Sequence, residues 1–188
     1  MNRKLIAALV AVFVLFSAAY IGLPFWAARQ FRAAALSGDV DRLEAAVDFP
    51  AVRESLKGQL TTVLTAKMND DPQMKSNPFA GLGMMLMPTI VARMIDSFVT
   101  PDGLAAMVRR GKVEAANAGS GAKVSADPNV EYAYDFRGLD RFAVTVVGRQ
   151  TKEGEAPRFV FERRGLFSWK LIRLEIPDGV FADKKPTI

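Results

Sequence analysis

The sequence predicts an α+β fold: an N-terminal transmembrane helix, then a helical segment packed on a curved four-stranded antiparallel sheet. Three observations carry this reading. Residues 5–28 run for 24 positions without a charge. From Asp39 to Gly111 the apolar residues recur at helical spacing between recognisable caps. From Tyr132 onward the apolar period switches to two, with short turns between the runs. The length, 188 residues, suits one domain with an appendage.

The uncharged run is long enough to cross a hydrocarbon layer of about 30 Å at about 1.5 Å per residue. Arg3 and Lys4 precede it, which favours a cytoplasmic N-terminus and export of the remainder of the chain. Tyr20, Phe25 and Trp26 are expected at the far interface as an aromatic belt, with Pro24 tolerated near that end. Two alternatives stand beside the anchor. One is a cleaved signal peptide with Ser17 and Ala19 before the cut, although a signal core is usually only about 7–15 residues. The other is a buried core helix, which rarely lacks a polar face at this length. The expected organisation is an anchor at 1–28, an extracytoplasmic α+β domain at 29–182 and a polar tail at 183–188.

The helical half is punctuated by caps. The first helix is expected to continue outward to Leu36 and to break at Ser37-Gly38. Asp39 then caps a short helix with Val40, Leu43, Ala46 and Val47 on one face. Asp48-Phe49-Pro50 starts another, with Val52, Leu56, Leu60, Val63 and Leu64 in one stripe and an end near Met68. Asn69-Asp70-Asp71-Pro72 reads as a turn and 73–78 as a loop. Residues 79–99 read as a Met-rich helix kinked at Pro88. Thr100-Pro101-Asp102-Gly103 is a helix start, with Thr100 as N-cap, and that helix is expected to end at Gly111. Residues 114–128 read as a linker.

The strand half alternates. Tyr132, Tyr134 and Phe136 form one inward row, and Phe142, Val144 and Val146 the next, across a Gly138-Leu139-Asp140 turn. A long connection at 148–157 leads to Phe159 and Phe161. After a turn at Arg164-Gly165 come Phe167, Trp169 and Leu171. Beyond Leu171 the apolar parity flips to Ile172, Leu174 and Ile176, which predicts a β-bulge. Four such runs in sequence make an antiparallel meander whose aromatic face the preceding helices can cover.

This layout resembles the bacterial "domain of unknown function 2939" family of small membrane-anchored proteins. The residues that carry the resemblance are Gly38-Asp39-Val40-Asp41, Val47-Asp48-Phe49-Pro50-Ala51-Val52-Arg53-Glu54-Ser55-Leu56, Thr100-Pro101-Asp102-Gly103-Leu104, and Trp169-Lys170-Leu171 near Leu174-Glu175-Ile176-Pro177. The resemblance implies no activity, catalytic residue or cofactor. Gly38-Asp39-Val40-Asp41-Arg42-Leu43 also resembles an ankyrin helix start, but no repeat occurs one period later.

Composition excludes several chemistries. The chain has 25 Lys plus Arg, 20 Asp plus Glu, no His and no Cys. That removes disulfides, thiol nucleophiles, imidazole catalysis, Cys/His zinc sites and a lipoprotein attachment cysteine. Without the first 28 residues, 23 basic and 20 acidic side chains remain, interspersed, so no phosphate-backbone surface is expected. Arg109, Arg110 and Lys112 read as cations closing a helix. Asp70-Asp71 reads as a solvated turn, and Asp135 with Asp140 as turn chemistry rather than an acid/base pair. Ser55 and Lys57 are two apart on a helix and face different ways. Gly81-Leu82-Gly83 lacks the rest of a phosphate loop. Met84 and Met87 share a helix face and suit core packing or an apolar groove better than copper. Arg137, Arg149, Arg163, Arg164, Lys170 and Arg173 form either a surface for anionic headgroups or an ordinary charged outer face interleaved with Glu131, Glu162 and Glu175.

The expectation is therefore a single-pass inner-membrane protein with a periplasmic or otherwise extracytoplasmic domain, acting as a non-enzymatic binding or interaction module. No cofactor, metal or nucleic acid is expected. The expected partners are the membrane and a lipid or an envelope protein. A lipid or small apolar ligand would sit between helices and sheet, with Phe79, Met84, Met87, Phe136, Phe161 and Trp169 as candidate lining. Two variants stay open: a Met-rich segment dipping into the membrane surface, and a structural subunit of an envelope complex.

Overall fold

The computed structural model describes residues 2–70, 80–117, 130–148 and 156–177. The end of the turn at Asp71-Pro72, the loop at 73–78, Phe79, most of the linker, Arg149, the centre of the long hairpin connection and the tail at 183–188 lie outside the described residues. Among the described residues the fold is α+β, with five helices followed by a four-stranded antiparallel sheet. The helices are α1 (Arg3–Ser37), α2 (Val40–Ala46), α3 (Phe49–Asp70), α4 (Ala80–Phe98) and α5 (Pro101–Asn117). The strands are β1 (Glu131–Phe136), β2 (Arg141–Val147), β3 (Arg158–Arg163) and β4 (Trp169–Glu175), adjacent in that order.

α1 is one helix of 35 residues that carries Pro24 inside it. Its first half is long and apolar enough to cross a membrane and is covered by nothing among the described residues, which does not fit the core-helix alternative. Its second half lies on the sheet. Ala27 and Ala34 are buried, Pro24 is among the most buried side chains, and Leu23, Phe25, Ala28 and Phe31 pack against the same core. Phe25 is therefore not an interfacial belt residue, as its sequence position suggested. Its ring meets Phe142 at 4.8 Å, Tyr134 at 5.2 Å and Phe136 at 5.8 Å between centroids. The reason is that an aromatic sheet face needs an apolar cover, and the helix supplies it before it leaves the domain.

Gly38 ends α1 in the left-handed region at φ 69°, with its N–H donating to Ala34 O, and its Cα lies close under α5. Asp39 caps α2 through Arg42 N–H, Asp48 accepts from Ala51 N–H, and Thr100 accepts from Gly103 N–H, so all three expected caps form. α4 continues through Pro88 to Phe98, and the chain then bends by 73° into α5. A Cβ at Gly103 would collide with the Phe98 carbonyl, so this corner requires glycine. α5 runs to Asn117 rather than ending at Gly111. Arg109, Arg110 and Lys112 therefore sit within the helix, not at its end. A glycine inside a helix costs only about 1 kcal/mol, which the packing of α5 on α1 and α2 can offset.

The sheet is the expected meander. Its bulge also falls where the parity flips: Val160 pairs with Arg173 and Phe161 with Leu171, leaving Ile172 as the extra residue. Phe142, Val144, Phe161, Trp169 and Leu171 are buried against the helices. The β4 edge is closed. Asp48 N–H donates to Leu171 O (2.8 Å), and Val47 makes a parallel bridge to Leu171. Further along, Gln59 Nε2 donates to Leu174 O (2.8 Å), while Gln59 Oε1 accepts from Ile176 N–H (3.0 Å). One side-chain amide thus does the work of a neighbouring strand.

These contacts orient the molecule. α3 starts beside Leu171 and runs along β4 in the same direction. It then continues for 11 residues beyond Gln59, about 16 Å past the end of the sheet. α4 returns beside it, with Gly83 against Met68 and Asp96 held by Arg53 (3.6 Å) and Lys57 (2.9 Å). The exposed half of α1 leaves from the opposite end, where Tyr20 Oη donates to Leu139 O in the β1–β2 turn (2.9 Å).

Three substitutions test this packing. Phe25→Ala is expected to destabilise the full chain in detergent by about 2–4 kcal/mol, slightly under the cost at a wholly buried Phe. Phe13→Ala, at a 71% exposed site on the same helix, is expected to change it by less than about 0.5 kcal/mol. Gln59→Ala is expected to cost about 1–3 kcal/mol, because it strands a donor and an acceptor of β4. Urea titration monitored by far-ultraviolet circular dichroism reads all three.

Candidate functional site

The five described residues of the six singled out from the sequence are spread over the fold. Phe79 lies outside the described residues. Met84 and Met87 are half-buried on α4, which packs on α3 rather than on the sheet. Phe136 is 46% exposed at the open β1 edge and touches Phe25 and Phe142. Phe161 and Trp169 are buried in the core between α1, α2 and the sheet. The Met-rich part of α4 therefore stands apart, at the end of the sheet away from the exposed half of α1.

A cavity between helix and sheet does exist, with other walls. It measures about 430 Å³ and lies between the second half of α1 and strands β1 to β3. Phe31 and Ala35 form its helical side. Tyr132, Tyr134, Val146 and Phe159 form its sheet side, and Phe161 is the one expected residue that contributes. Arg29 and Arg32 line it from the exposed face of α1, and the Arg32 guanidinium lies 5.2 Å from the centroid of the Tyr132 ring. The site is thus an apolar trough with two cations beside it. Trp169 lines a separate cleft of about 390 Å³ with Trp26, Ala46 and Phe167. The trough was missed because residues 29–36 read as a simple continuation of the span. The usable signal was Phe31 and Ala35, one helical turn apart, opposite the alternating tyrosines.

The basic residues on the sheet are paired. Arg137 meets Asp135 and Glu175, Arg158 and Arg173 also meet Glu175, and Arg141 meets Glu162 at 3.0 Å. Arg164 bridges Asp48 (2.9 Å) and Glu162 (3.0 Å), and Lys170 Nζ donates to Glu44 O. This is the interleaved charged face, and beneath it Ala143 and Val160 are buried. Arg163 differs. Its guanidinium lies between the rings of Tyr20 (3.9 Å) and Trp169 (4.6 Å), donates to Leu166 O and sits 3.3 Å from Asp140.

The polar pairs weighed for chemistry are held apart. Asp135 pairs with Arg137 and Asp140 with Arg163. Ser55 Oγ accepts from Gln59, and Lys57 pairs with Asp96. Among the described residues no three carboxylates converge as cation ligands.

Neither curated proteins nor solved structures give a match to the chain. A family model described as "Protein of unknown function (DUF2939)" matches residues 13–107, just over half of the sequence. The match takes in most of α1, the caps at Asp39, Asp48 and Thr100, all of α2 to α4 and the start of α5. The Trp169 to Pro177 residues that also carried the resemblance lie beyond it. The chain belongs to the DUF2939 family of proteins of unknown function.

Proposed function

We propose that the chain is a membrane-anchored, non-enzymatic binding module of the bacterial envelope, and that its ligand is an amphiphile with one apolar chain and an acidic head. The trough between α1 and the sheet is the observation that carries this reading. Its volume suits a small apolar ligand, and Arg29 and Arg32 supply the charge that would retain a carboxylate or phosphate at its mouth. Arg3 and Lys4 before the apolar run support a cytoplasmic N-terminus, an inner-membrane span and an extracytoplasmic domain. The paired sheet arginines do not favour a surface for anionic headgroups. The position of the Met-rich stretch does not favour its contact with the same membrane that α1 would cross.

A second reading is a structural subunit of an envelope complex. It is favoured by one feature: Leu82, Leu86, Ile90, Met94 and Phe98 form an exposed stripe at four-residue spacing on α4. Its first half lies where the α3–α4 pair projects beyond the sheet, and its second half, around Asp96, lies beside the start of α3.

Native mass spectrometry of the full chain, released from detergent with oleic acid added, tests the first reading. A one-to-one adduct is expected. Val146→Trp, which fills the trough, is expected to weaken it roughly tenfold, equivalent to about 1.4 kcal/mol. Arg32→Ala is expected to weaken it about two- to fivefold, since exposed ion pairs are worth about 0–1 kcal/mol. No adduct, or one that Val146→Trp leaves unchanged while circular dichroism shows a folded domain, removes the reading. Under the second reading, a photocrosslinker on Leu86→Cys captures one defined envelope protein, and the same label on Val108→Cys does not.

A further inference from the structure

Both short turns of the sheet are built from the same tripeptide. Arg137-Gly138-Leu139 forms the β1–β2 turn and Arg164-Gly165-Leu166 the β3–β4 turn. Each is closed by the same bond across a three-residue loop: Arg137 N–H donates to Arg141 O (2.9 Å), and Arg164 N–H to Ser168 O (2.8 Å). Turn apices are normally polar. Here each presents a leucine, with Leu139 75% and Leu166 74% exposed, and Phe167 beside them 58% exposed. The antiparallel meander puts both turns at one end of the sheet.

That end is where α1 leaves. Tyr20 donates to Leu139 O, and Arg163, which touches Tyr20, donates to Leu166 O (2.8 Å). Both leucine carbonyls therefore have protein donors and do not depend on water for a partner. Backbone that enters a lipid interface has that requirement. The exposed apolar part of α1 over residues 5–22 is about 27 Å long, close to the thickness of a hydrocarbon layer. With Lys4 at one face, this stretch ends at Gly22 close to the other, and Tyr20 lies about 3 Å before that end.

The geometry points to a second membrane contact: the two Arg-Gly-Leu turns insert Leu139, Leu166 and Phe167 into the outer boundary of the bilayer that α1 crosses. This rests on the anchor reading of α1 and is independent of the ligand reading. The occupant is a phospholipid bilayer because the apices share the level at which the apolar helix leaves the domain. Anionic lipid is not required, since Arg141, Arg163 and Arg164 at this end already have carboxylate partners within the domain. The contact fixes the tilt of the domain and its helix together relative to the bilayer.

The chain has no cysteine, so single cysteines can carry a fluorophore without background. Labels on Leu139→Cys, Leu166→Cys, Val10→Cys and Met85→Cys in the full chain are compared in phosphatidylcholine nanodiscs. The discs carry nitroxide lipid, with the quencher either near the headgroup or deep in the acyl chain. The Leu139 and Leu166 labels are expected to lose most of their emission to the shallow quencher. The Val10 label is expected to lose it to the deep one, and the Met85 label to neither. Raised salt is expected to leave the pattern unchanged. A quenched Val10 label with unquenched turn labels overturns the insertion and leaves the anchor standing. An unquenched Val10 label overturns both. A Met85 label quenched as strongly as Leu139 overturns the orientation, and loss of turn quenching in salt overturns the apolar account.

Discussion

Everything in this fold depends on one helix serving two environments. α1 is continuous from Arg3 to Ser37, so its apolar first half and its packed second half are rigidly coupled. The coupling is made by rings: Phe25 against Phe142 and Tyr134, and Phe31 against Phe159 and Phe161. Each buries a large apolar area in a geometry that favours tilted or edge-on contact. The sheet cannot turn about the helix without breaking those contacts. Whatever holds the first half of α1 therefore also orients the sheet, its turns and its trough.

The remaining helices solve a different problem, the edges of a four-stranded meander. β4 is closed by Asp48, Val47 and Gln59, which satisfy backbone groups that would otherwise offer a template for another strand. Placing α3 along β4 has a consequence for shape. α3 is longer than the strand it flanks, so its end and the start of α4 project past the sheet. The apolar stripe on α4 stays exposed because α4 packs on α3 and not on the sheet, and only its Leu82 to Ile90 half lies on that overhang. The outer face is handled by charge, with Glu162 and Glu175 each shared among arginines whose stems cover Ala143 and Val160.

Elements with a local cause were legible in the sequence. Asp39, Asp48 and Thr100 each bond a backbone N–H three residues on, which is a short-range event that side-chain chemistry alone determines. The bulge at Ile172 was legible because a strand whose apolar face changes by one residue must either bulge or expose its core row. What escaped is what depends on distance in the chain. Phe25 looked interfacial because its neighbours are apolar on both sides, and nothing local reveals a sheet more than a hundred residues later. Gln59 carries no local signal of its role, yet its amide finds Leu174 and Ile176. The candidate lining residues were chosen without that information, and the structure does not bring the five described ones together. They were chosen for size and apolarity, and those qualities do not separate Phe161 in the core from Phe136 at an open edge. The repeated Arg-Gly-Leu was visible as text, but its meaning waits on the meander that brings the two copies to one end.

The trough and the inserted turns arise from the same mismatch of shapes. A helix is straight, whereas strands in a sheet rotate by roughly 20–25° from one to the next. A straight rod laid on a twisted surface touches closely over a limited stretch. Small residues set where that stretch falls: Ala27 and Ala34 are buried and let the backbone of α1 approach the domain. Beside the ring contacts of Phe31, the space between Ala35 and the tyrosines is not filled. Toward the near end the helix meets the turns through Tyr20, which donates to Leu139 O, and their leucines stay exposed beside it. A larger side chain at Ala35 would close the trough without moving the turns, because the ring contacts at Phe25 lie between them. The trough and the turns are thus mechanically separable although one helix frames both.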